Sequence, residues 1–152
     1  MGKKKLSKAD YIKSYRSEMK ISEKDIGAAV RNKMVKLQNL LGTINQMLDD
    51  AQIAVKNQRM IVEIVKDMAC VVILRATQGR KLTAMTLEKL ANGEEITYNE
   101  TKTSVTIEKT ILSELETDLI IAKSLHEECV SAISVLRSAL SFDKAELGSF
   151  GG

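Results

Sequence analysis

Proline is missing from all 152 residues, and so is tryptophan. Glycine occurs eight times and aromatic residues make up 3% of the chain, against a hydrophobic content of 44% built from Leu, Ile, Val, Ala and Met. A sheet protein of this length would spend proline and glycine on its turns and aromatics on its strands. Their scarcity argues against β architecture and favours long helices broken at few places. The length fits one domain with a substantial core.

Histidine is nearly absent as well. His126 is the single histidine, and Cys70 and Cys129 are the only cysteines, so tetrahedral zinc finds too few nitrogen and sulfur ligands. His126 and Cys129 do lie three residues apart on one helical face. The plainer reading, a histidine on an apolar seam beside a buried thiol, is preferred over a metal pair or a Cys-His nucleophile. Both cysteines fall within apolar stretches and read as reduced thiols rather than a disulfide. GxxxxGK[ST], GxGxxG, CxxC and HExxH are all missing, and the acidic pairs Asp49-Asp50 and Glu127-Glu128 are adjacent, which splays them around a helix. The expectation is a protein that is not an enzyme and has no metal or cofactor.

Long uncharged runs are lacking too. The most apolar stretch, Met60 to Ala76, contains Glu63, Lys66, Asp67 and Arg75, and its longest uncharged run spans Met68 to Leu74. Each inner charge costs roughly 2.5–3.5 kcal/mol at a bilayer centre, while each Leu, Ile or Val returns about 0.3–0.6. The charges decide against a transmembrane segment. MGKKK is followed by no apolar run, and Leu6 stands where myristoylation wants Ser or Thr, so cytoplasmic synthesis is expected, with possible assembly into a particle or filament.

What is present is a repeat. From Met34 through Leu37, Leu41, Ile44, Leu48, Ala51, Val55, Gln58, Val62, Val65, Ala69, Val72 and Ala76, positions step by three and four, the spacing of a heptad seam. Leu40, Met47, Ala54, Ile61 and Met68 follow beside it at strict sevens. Three apolar positions per heptad exceed what one partner helix covers. A strand reading of the β-branched Val62–Ile73 region is set aside because the heptad phase runs through it. The surface that one chain would leave for another copy is placed at Ile61, Met68, Val71, Val72, Ile73 and Leu74. Gln58, the one polar residue on the seam, either fixes register or faces a solvated gap.

The fold class that follows is all-α: an elongated antiparallel helical hairpin or bundle with two long helices, at about 23–77 and 103–141, a short N-terminal helix over 7–20 and a short helix at about 80–91. Tyr11, Tyr15 and Met19 are assigned to one side of the first helix. Ser22-Glu23-Lys24-Asp25 reads as a capping box opening the long helix, and Gly79 as a kink or stop. On the second long helix the seam comprises Val105, Leu112, Leu115, Leu119, Ala122, His126, Cys129, Ile133, Leu136 and Leu140, widened by Ile111, Ile120, Ile121, Leu125, Val130 and Ala132. Residues 1–22 form a basic arm, 23–141 the bundle and 142–152 a flexible tail.

The net charge of +3 conceals polarity: residues 1–93 hold 18 basic and 9 acidic side chains, and residues 94–152 hold 5 and 11. Lys3, Lys4, Lys5, Lys8, Lys13, Arg16 and Lys20, with Tyr11 and Tyr15 among them, are candidate contacts for phosphates or for an acidic protein surface. These features describe a self-associating helical structural or adaptor protein of a larger assembly, of virion-internal, connector or secretion-apparatus type. An oligomeric DNA- or RNA-binding accessory protein using the basic arm is the alternative, and a helical export chaperone a further one.

Overall fold

A computed structural model describes residues 6–22, 27–76 and 99–150. These form three helices and no strand: α1 (Lys8–Met19), α2 (Ala28–Ala76) and α3 (Asn99–Phe150). The architecture is an all-α bundle with a long helix pair and a short N-terminal helix. The expected helix at 80–91, the break at Gly79 and Lys3, Lys4 and Lys5 lie outside the described residues.

α1 starts where its sequence says it should. Ser7 Oγ accepts from the Asp10 amide at 3.3 Å, and the Asp10 carboxylate accepts from the Ser7 amide at 3.0 Å and the Ser7 hydroxyl at 2.6 Å. The reciprocal bonds satisfy orphan donors of the first turn. The two hydrogen bonds from Ser7 hold the Asp10 pKa below the ordinary carboxylate range. The face that α1 turns inward is Ile12, Tyr15 and Met19, and Tyr11 stays exposed. An isoleucine side chain, all hydrocarbon, gains more from that site than a phenol whose hydroxyl needs water or a partner.

α2 begins at Ala28, later than expected, because Gly27 adopts φ +62°, a conformation outside any right-handed helix. Residues 23–26 of the expected capping box lie outside the described residues. At its other end α3 extends beyond 141 to Phe150. The segment expected to be a flexible tail is helical that far, since SFDKAEL contains good helix formers and no proline.

The chain divides into two compact units. In the first, comprising residues up to Asp49 and from Ile121 onward, α1, the start of α2 and the end of α3 surround one core. Val30, Leu37, Leu40 and Ile44 meet Leu125, Cys129, Ala132, Ile133 and Leu136, with Met19 contributed by α1. Three helices supply the width that the three-position apolar face demands. Each large aliphatic side chain fully buried here contributes about 1.5–3 kcal/mol. Leu125 and Ala132, assigned to the flank, are buried, and His126, assigned to the main seam, is half-buried.

The second unit, Asp50–Ile120, is a helix pair in its described part. Ala69 and Ile73 pack on Val105, Gln58 reaches Glu108 and Arg59 reaches Glu116, so the two segments run antiparallel. Val55 and Val62 are buried, whereas Ile111 and Ile120, assigned to the widened face of α3, are exposed here, as is Val130 in the first unit.

Two glycines should respond oppositely to alanine. Gly27→Ala must place a Cβ in the left-handed region at a cost of about 1–2 kcal/mol, while Gly42, mid-helix with open space at its Cβ position, should gain about 0.5–1 kcal/mol on becoming alanine. Urea midpoints at unchanged slope should fall for the first and rise for the second.

Candidate association surface

Seventeen residues of α2, Met60 to Ala76, put charges and large apolar groups on the same helix, and the fold sorts them. Ala69 and Ile73 go inward. Outward go Met60, Ile61, Ile64, Met68, Val71, Val72 and Leu74, of which Met68 is 63% exposed. Of the six residues assigned to an inter-chain surface, Ile61, Met68, Val71, Val72 and Leu74 are at the surface. Ile73 is not: with 0% exposure it belongs to the core of its own unit. Strict counting by sevens drifts about 20° per heptad against a straight α-helix, so near the end of α2 the inward position passes from Val72 to Ile73.

Between α2 and α3 in this unit lies an open groove of about 500 Å³, walled by Val65, Met68, Val72 and Ile107, with Glu108 and Ser104 at its polar side. Its exposed apolar walls continue into Ile61 and Ile64. The polar groups nearby are already engaged: Lys66 Nζ sits 3.8 Å from the Glu63 carboxylate, and Gln58 is bonded to Glu108.

That glutamine is 7% exposed. Its Nε2 donates to the Glu108 carbonyl at 3.0 Å and to the Glu108 carboxylate at 2.6 Å. The solvated-gap reading of Gln58 is thereby replaced by a buried, partnered amide, and among the described residues no buried side-chain nitrogen or oxygen lacks a partner. Sliding α2 by one turn would strip this amide of its acceptors, a cost of about 1–3 kcal/mol.

Lys8, Lys13, Arg16 and Lys20 are all exposed, and Arg16 Nε donates to Glu128 at 3.2 Å. Tyr15 packs on the first core, which takes it from the set available for stacking on bases. Tyr11 lies tilted against it, with ring centroids 6.4 Å apart. Lys33 Nζ donates to the Lys20 carbonyl, tying the turn after α1 to α2.

Cys129 is sealed in the first core. Its thiol donates to the Leu37 carbonyl at 3.5 Å, and burial raises its pKa, which lowers its thiolate fraction. His126 stands one turn before it, and among the described residues no three His, Cys, Asp or Glu side chains are grouped so as to hold a metal ion. No helix among the described residues is long and apolar enough to cross a membrane.

The six residues named for the inter-chain surface leave out Ile53, Met60 and Ile64, all exposed. Their spacing of seven and four residues was available as a signal, but the stronger inward seam on the same helix masked it. No family model, no curated protein and no solved structure matches this chain.

Gln58→Ala should lower stability by about 1–2 kcal/mol in urea denaturation by removing a buried hydrogen-bonded group. Gln58→Leu should fall within about 1 kcal/mol of the wild type, since an apolar side chain of similar size needs no acceptor. With a thiol reagent at neutral pH, half-buried Cys70 should be labelled in the folded protein and Cys129 only as the chain unfolds. Equal labelling rates would show that the first core does not close over Cys129.

Proposed function

We propose that this protein is a non-enzymatic helical component of a larger assembly, structural or adaptor in role, that associates with further copies of itself through the outward face of the second half of α2. The assemblies that suit such a component are virion interiors, connectors and secretion apparatus. The observation that carries the reading is the contiguous exposure of Met60, Ile61, Ile64, Met68, Val71, Val72 and Leu74 along one helix. Scattered surface hydrophobics need no explanation, but a continuous band of them marks a surface that another molecule covers.

The energetics favour association over exposure. Burying apolar surface gains about 25 cal/mol per Å², and these side chains already sit on a helix, so little backbone entropy is lost when they are covered. The exposed Lys8, Lys13 and Lys20 suit contact with an acidic partner surface in the same assembly. The nucleic-acid alternative keeps those basic residues but loses Tyr15, which packs on the first core.

Ile64 is exposed, so Ile64→Asp should leave the fold intact and act on association alone. Light scattering of the wild type should give a multiple of the 16.8 kDa chain mass, and the variant should return to a single chain with its helical circular dichroism unchanged. A wild type of single-chain mass would overturn the proposal.

A further inference from the structure

The outward face of α2 carries its own coiled-coil spacing. Ile53, Asn57, Met60, Ile64, Asp67 and Val71 follow one another by four, three, four, three and four residues, the step pattern of a helix–helix seam. All six are exposed. Met60 is two residues from both Gln58 and Val62, the buried line that packs on α3, and at 3.6 residues per turn it stands about 160° around the helix from each. The second half of α2 is thus apolar on two opposite sides, with one side covered by its own chain.

Two polar residues interrupt the outward line, and their positions are symmetric. Asn57 and Asp67 stand five residues either side of Val62. We propose that the occupant of this face is a second copy of the chain, running antiparallel about a two-fold axis at the level of Val62. That register sets Asn57 opposite Asp67 of the second copy, Met60 opposite Ile64 and Ile53 opposite Val71. Each apolar residue meets an apolar one, and each Asn57 amide can donate to a carboxylate.

The alternative registers are worse. A parallel pair brings two Asp67 carboxylates together, and like charges at one layer oppose pairing. Shifting the antiparallel pair by a heptad one way sets Asp67 against Asp50, and the other way sets Asp67 against Ile64 and Asn57 against Leu74. Ile61, Met68 and Leu74 are exposed alongside the line and widen the apolar stripe that the second copy covers. The inference rests on the self-association reading and gives it a geometry.

Cross-linking separates the two. In full-length chains carrying Cys70→Ser and Cys129→Ala, with helicity checked by circular dichroism, Ile53→Cys and Val71→Cys variants are mixed and mildly oxidised. The expected product is a disulfide-linked dimer with one chain of each kind, while neither variant cross-links alone, because residues 53 of the two copies lie about 27 Å apart along the axis at 1.5 Å per residue. Ile53→Cys cross-linking with itself, or an oligomer that yields no mixed product, overturns the register and leaves self-association standing. A monomeric wild type overturns both. With native cysteines retained, Asn57→Asp should weaken association at least tenfold and Asn57→Lys should not weaken it; equal weakening by both would contradict the pairing with Asp67.

Discussion

A helix that leans on a single neighbour can hide only one side of itself, and α2 is apolar over more than one side for much of its length. In the first unit α1 fills the extra side with Ile12, Tyr15 and Met19, so Leu40, a flank residue, is buried. In the second unit the described residues supply only α3 as a neighbour, and the flank residues Ile61 and Met68 remain exposed. Core composition and register both follow from how that width is covered.

Polar groups set the alignment within this apolar framework. Gln58 is the one buried polar residue among those described, and its two bonds to Glu108 tie one level of α2 to one level of α3. Aliphatic seams tolerate a slip of one turn, since one leucine replaces another at little cost. A buried amide does not, because its partners do not move with it. The ion pairs Arg16–Glu128 and Arg59–Glu116 are exposed on both sides, and pairs of this kind contribute at most about 1 kcal/mol each.

Much of this was legible in the sequence, for identifiable reasons. The heptad line predicted Leu37, Ile44, Val55, Gln58, Val62 and Ala69 as inward residues, and all are buried. Helix ends were harder to read. Gly27 stops α2 through a backbone angle that composition does not announce, while Gly148 fails to stop α3. Val72, on the heptad line, is exposed, and Ile73 beside it is buried, because the departure of 3.6 from 3.5 accumulates along a long helix. At the candidate surface, Ile61, Met68, Val71, Val72 and Leu74 are exposed and Ile73 is buried, and the exposed Ile53, Met60 and Ile64 were harder to read because the inward seam on the same helix dominates the pattern.

Covering the outward side of α2 should make folding and association one equilibrium, since any reaction that binds only the folded chain raises its apparent stability by mass action. The most direct measurement is the urea midpoint of the wild-type chain over a hundredfold range of protein concentration. The account predicts a midpoint that climbs with concentration. A midpoint that stays fixed across the range would mean that the folded chain is complete without a second copy.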